Sequence, residues 1–292
     1  MSIECDFIDD YKKILIKYGR DKKIRLPEND DKAVIRVLTF LRKRGSAKNK
    51  QIKIAKPINI PKYCRRVVLK LLRAIKNGED ISPYMSKKAF KEKKTDVDLM
   101  FSAWNILHLH LGSELENNGQ FIKRTNELLF LLLQDEIVYV IGVYNHSRDI
   151  WFKRDIIQRI YDNWPELFYE LEGIDNIDTY SDEEYKVLRQ NHGNVLLTVY
   201  DKNADVRKVV VPMTLGMVAS GDSSIDVVTY DKICVYLLEL QNKILGQIKK
   251  STDSKNERIT LTLRYIDSKW VVIYNGRRFE LSDISCLNHL NI

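Results

Sequence analysis

Two apolar runs set the first limit on what this chain can fold into. Residues 127–133 and 137–144 are dominated by Leu, Ile, Val, Phe and Tyr, and only Gln134-Asp135-Glu136 stands between them. Those three polar residues keep the best candidate span below the eighteen or so apolar residues needed to cross a bilayer. They also form a plausible turn, and the flanking runs have the length and the β-branched and aromatic content of strands, so the segment predicts a β-hairpin. Just upstream, Leu107-His108-Leu109-His110-Leu111 alternates with a period of two and predicts a further strand. With 292 residues, 44% of them hydrophobic and 30% charged, the chain can bury a substantial core.

Helical signals flank this region. Asp30-Asp31 can cap a helix carrying Val34, Ile35, Val37, Leu38 and Leu41, with Gly45 as its stop. A second helix is expected from Ile60-Pro61, through Val67, Val68, Leu71, Leu72 and Ile75, to Asn77-Gly78. Between them residues 46–57 form a basic connector, and the polar stretch 82–96 reads as a boundary. Residues 98–146 read as strands and 148–164 as a helix ended by Trp164-Pro165. After an acidic linker at 175–180, Ser181-Asp182-Glu183-Glu184 has the form of a capping box. Strands at 194–200 and 206–211, a long helix over 225–250 and a meander at 258–265, 270–274 and 278–281 complete the pattern. Asn275-Gly276 supplies a type I′ turn in the meander. The expectation is an α+β protein in three parts: a basic helical region at 1–95, a central antiparallel sheet with packed helices at 96–174, and an α+β region at 175–292.

Charge is unevenly distributed. Residues 1–100 hold 27 Lys and Arg against 13 Asp and Glu, whereas the other 192 hold 21 against 27. From Lys32 to Gly78 there are fifteen cations and no acid. A solvated face normally mixes signs, so the stretch points to a polyanionic partner, RNA or another nucleic acid, with salt-sensitive affinity. The candidate contacts are Arg42, Lys43, Arg44, Lys48, Lys50, Lys53, Lys62, Arg65, Arg66, Lys70 and Arg73. The alternative is a basic face that answers the acidic remainder of the chain. The two helices fit either a helix-turn-helix or winged-helix module, or an arm presenting RNA to a catalytic domain. Four scattered cysteines without a CxxC pair, and an acidic start, fit a reducing cytoplasm and no membrane span.

Five histidines carry the candidate chemistry. On a strand, His108 and His110 share one face, and His146 lies just beyond the end of the run 137–144. Arg124, Tyr144 and Arg148 lie near in sequence. One reading is metal-independent RNA cleavage, with one imidazole removing the 2′-hydroxyl proton, another protonating the leaving 5′-oxygen, and Arg124 or Arg148 stabilising the phosphorane. A second is a zinc site using the three histidines, with Asp149 as a further ligand. The third is a structural pair on a half-exposed strand. No cofactor is expected, and no two-metal nuclease signature is visible. The glycines of residues 214–224 read as a turn and helix cap, and Trp151, Tyr161 and Trp164 as core. Cationic neighbours are expected to lower the Cys64 thiol.

Trp104-Asn-Ile-Leu-His-Leu-His-Leu-Gly112, Arg124-Thr-Asn-Glu-Leu-Leu-Phe130, His146 and Asn163-Trp-Pro-Glu166 resemble a family of bacterial proteins without an established activity. That family has a His-Leu-His-Leu-Gly strand, an Arg-Thr-Gly-x-Leu-Leu-Phe strand, a His closing the next strand and an Asn-Trp-Pro-Glu segment. The resemblance covers roughly residues 98–240, and Asn126 stands where the family has Gly. By element order and residue type alone, the chain is also distantly similar to the RelE and EndoU-like toxin RNases. That likeness implies an endoribonuclease of toxin or phage-defence type with a cognate antitoxin or defence partner. The competing expectation is a non-catalytic nucleic-acid-binding or adaptor protein with structural histidines.

Overall fold

The computed structural model describes residues 2–45, 50–91, 98–117, 119–174, 180–191, 193–251, 258–281 and 287. Its elements begin with β1 (Ser2–Glu4), α1 (Phe7–Asp21), α2 (Asp30–Arg44), β2 (Gln51–Ile54), α3 (Arg65–Asn77), α4 (Lys88–Lys91) and α5 (Leu99–Trp104). Then come β3 (Ile106–His110), β4 (Glu127–Leu133), β5 (Ile137–Asn145), α6 (Arg154–Asn163), β6 (Tyr169–Leu171), α7 (Asp182–Gln190), β7 (Leu197–Asp201) and β8 (Val206–Val211). The last are α8 (Ser224–Ser251), β9 (Arg258–Ile266), β10 (Lys269–Tyr274) and β11 (Arg277–Glu280). The protein is mixed α+β. Among the described residues no helix is long and apolar enough to cross a membrane.

The chain forms two compact units, one of Met1–Leu41 with Asp226–Ile292 and the other of Arg42–Ile225. These units run across the sequence segments bounded at 95/96 and 174/175. In the first unit, β1 pairs in parallel with β9, the edge of an antiparallel β9-β10-β11 meander. Asp6 caps α1 by accepting from the Asp9 amide, and Asp10 accepts from the Leu263 amide at 2.7 Å. Tyr11 packs on Trp270 with ring centroids 5.6 Å apart. Asn275 and Gly276 both take positive φ, as a type I′ turn requires.

The second unit is built on a four-stranded sheet ordered β2-β5-β4-β3. β3, β4 and β5 are antiparallel, and β2 adds in parallel to β5. Most residues of β3, β4 and β5 are buried on both faces. β3 is therefore not the half-exposed strand of the third reading above. Lys50 fastens the β4–β5 turn: its ammonium, in a buried side chain, donates to the carbonyls of Gln134 and Asp135. One core cluster combines Ile106, Leu128, Phe130, Leu132 and Ile141 of the sheet with Ile156, Ile157 and Ile160 of α6. A second sheet, β6-β8-β7, contributes Leu197, Val199 and Val210 to the same cluster.

Several local expectations are corrected. Residues 98–146 open with α5, because Asp98 caps it by accepting from the Phe101 amide and Asn105 ends it in the left-handed region. The connector 46–57 contains β2, which is held by pairing with β5. The helix expected over 148–164 is a 3-10 turn, Ile150–Phe152, followed by α6. The Ser181–Glu184 capping box of α7 is present in both directions.

Candidate nucleic-acid interface and histidine cluster

The cationic stretch divides by burial. Arg42 stacks on Phe101 at 4.0 Å and donates to Asn105 and Ser223. Lys43 is buried and paired with Asp98 at 3.0 Å. Arg44 reaches Asp80 at 3.8 Å, and Lys53 lies over the Tyr139 ring at 5.3 Å. Burial lowers the pKa of the Lys50 ammonium, with Asp135 opposing. These five cations, counted above as candidate contacts, are instead engaged within the protein, and Lys43 and Lys50 are buried outright. Lys48 lies outside the described residues.

The rest of the stretch stays outside. Val68, Leu71, Leu72 and Ile75 bury one side of α3. At about 100° per residue, Arg65, Arg66, Leu69, Lys70, Arg73 and Lys76 fall within an arc of about 140° on the other side. All six are exposed, as is Lys62 in the 3-10 turn Lys62–Cys64 that leads into the helix. Among the described residues none of the cations Lys62, Arg65, Arg66, Lys70, Arg73 and Lys76 has an ion-pair partner. Cys64 faces inward: burial, and then the Glu127 carboxylate, push its thiol up rather than down.

His108 and His110 stand opposite Phe130 and Leu128 across the β3–β4 pair, so both imidazoles share a face with the sheet core. Trp151, from the 3-10 turn before α6, is the hub. Its ring lies 4.6 Å from His108, 5.5 Å from His146 and 6.0 Å from Phe130. His110 and His146 are nearly parallel, 18° apart in plane, with centroids separated by 6.4 Å. The backbone N–H of His146 donates to the Asn126 carbonyl at 2.7 Å, which fixes it beside the start of β4. The three imidazoles named from the sequence thus converge at one end of the sheet.

Their environments differ. His146 is exposed, whereas the His108 side chain is 11% exposed and His110 4%. Both buried Nδ1 atoms lack a hydrogen-bond partner. Burial pushes both imidazoles down to about 4. Asp98, 3.8 Å from His108 Nδ1, works against this for His108, and the fields of Lys43, His146 and Arg124 work with it. His110 is depressed further by His108, Arg124 and His146. Burial works to raise the Asp98 carboxyl, but Lys43, His108 and the Phe101 amide hold it below the ordinary range.

The remaining candidates are placed less centrally. Arg124 is exposed and acts on both buried imidazoles through its field. The Tyr144 ring packs on Phe130 at 5.0 Å, while its hydroxyl is engaged by Asn59; burial raises its pKa. Arg148 is exposed, and among the described residues no hydrogen bond or ion pair joins it to the histidines. Asp149 pairs with Lys186 at 2.9 Å instead of joining a zinc set. No group of three His, Cys, Asp or Glu side chains converges as metal ligands among the described residues. Sequence reasoning missed Asp98, Lys43 as its partner, and Trp151 as more than core. Asp98 stands just ahead of the run Leu-Met-Phe, a readable cap signal. Compared with protein-family models, with curated proteins and with solved structures, the chain matches none.

Proposed function

We propose that this protein binds nucleic acid along the exposed arc of α3. One observation carries the reading: six exposed cations on a single helix and its lead-in turn, unpaired among the described residues, from a stretch without an acid. Gathering like charges on one surface is costly unless a polyanion neutralises them, and release of its counterions drives association. The test is fluorescence anisotropy of a labelled oligonucleotide across a salt series. Arg65→Glu with Arg66→Glu should weaken binding and flatten the slope of log affinity against log salt by about 1 to 2. An unchanged slope would remove α3 from the interface.

A second reading, metal-independent RNA cleavage, is favoured by the parallel His110–His146 pair beside the Arg124 field. A neutral imidazole takes the 2′-hydroxyl proton, another group protonates the leaving 5′-oxygen, and Arg124 stabilises charge on the phosphorane. His146 is the member that substrate reaches directly. Burial keeps His110 neutral at pH 7, which rules it out as the acid and weakens it as a base. Cleavage in EDTA that His110→Ala and His146→Ala each abolish, with binding retained, supports this reading. Binding without cleavage leaves the histidines structural. A cytoplasmic toxin or phage-defence role with a protein partner rests only on the distant likeness to toxin RNases.

A further inference from the structure

The α3 surface is not purely cationic. Tyr63, in the turn that opens the helix, is 72% exposed, and Leu69 is 53% exposed among the arginines and lysines. An aromatic ring this open carries a hydration cost, yet it is not loose: its hydroxyl donates to Glu127 Oε1 at 3.3 Å. Glu127 pairs across β4–β5 with Asn145, the residue before His146. The ring is therefore fastened at its polar end, with its apolar face open to solvent. It stands next to Arg65 and Arg66, at the start of β4, where Asn126 receives the His146 amide.

We infer that Tyr63 is a base-stacking platform and that the ligand of this surface is single-stranded nucleic acid. The inference rests on the reading of α3 as a nucleic-acid interface and adds the form of the ligand to it. A duplex offers phosphates to a cationic helix but keeps its base faces stacked inside. A single strand offers both, and sequence-tolerant stacking on aromatic rings is how such strands are held alongside phosphate contacts. Cations at 62, 65 and 66 on either side of an open aromatic ring fit that combination. A phosphate-only ligand has no use for an exposed Tyr63 or Leu69.

The test measures anisotropy of labelled oligo(U) and of a duplex of equal length with wild type, Tyr63→Ala, Tyr63→Phe, Tyr63→Trp and the Arg65→Glu/Arg66→Glu double variant. Tyr63→Ala should lose roughly tenfold or more in affinity for oligo(U). It should leave duplex binding and the salt slope unchanged, because no phosphate contact is removed. Tyr63→Phe should stay close to wild type. In Tyr63→Trp, the new indole's emission should change on adding oligo(U) and not on adding duplex. Wild-type affinity for oligo(U) in Tyr63→Ala, or equal losses for strand and duplex, would overturn the stacking role. So would tighter binding to phosphatidylserine vesicles than to oligo(U), since the surface would then be lipid-directed. Failure of the double variant to change any binding sinks the α3 reading itself, an outcome distinct from failure at Tyr63 alone.

Discussion

His108 and His110 are imidazoles whose proton affinity the fold has suppressed. Unfolded, each titrates near 6.5; folded, each is held to about 4. Between those values the unfolded chain binds more protons than the folded one, so stability rises with pH through that window and levels off above it. Each imidazole accounts for about 3 kcal/mol of acid sensitivity. Denaturant unfolding from pH 7 to pH 4 should therefore show a steep loss of stability. The double variant His108→Gln/His110→Gln should flatten that loss, and an equal loss in the variant would mean other groups carry it. Lys43 gives a second prediction at this scale. Lys43→Met removes the ammonium paired with the buried Asp98 carboxylate and should cost about 3–5 kcal/mol, with no change in the salt dependence of oligonucleotide binding. A flattened salt slope would instead make Lys43 a phosphate contact.

At the scale of elements, what was legible in the sequence was what is locally encoded. The β4–β5 hairpin, α2, α3, the α7 capping box and the C-terminal meander follow from periodicity and turn chemistry within a few residues of each element. The pairing of His108 and His110 on one face follows from strand period alone. Three misses are short elements whose identity comes from a partner: β1, β2 and β6 have three or four residues each and are strands because β9, β5 and β8 complete their ladders. Two others were helices with a local signal that went unread, α1 behind its Asp6 cap and α5 behind its Asp98 cap. The basic stretch was overcounted for a related reason. Composition treats Arg42, Lys43, Lys50 and Arg65 alike, whereas only tertiary packing decides which ammonium or guanidinium is turned inward. Within α3 the apolar side is the test of this: Leu71→Ala, at a fully buried position, should cost about 2–5 kcal/mol and weaken nucleic-acid binding only through loss of folded protein. The two effects separate when affinity is measured below the melting transition.

For the whole molecule, the two compact units make a single unfolding free energy an incomplete description. Trp270→Ala removes a fully buried indole that packs on Tyr11 and Tyr265, and should cost about 3–5 kcal/mol in the first unit. Calorimetry should show that loss in the part of the transition belonging to Met1–Leu41 and Asp226–Ile292, with oligonucleotide affinity unchanged. A uniform shift of the entire endotherm would show the units melting as one. The parallel pairing of Ser2–Glu4 with Arg258–Thr260 has a consequence for biosynthesis. α1 emerges from the ribosome long before the strands that cover Tyr11 exist, a wait of about ten to forty seconds at ordinary elongation rates. That helix therefore stays without its β9 and β10 cover while the whole of Arg42–Ile225 is synthesised, so a segment made before that unit completes its own packing only after it.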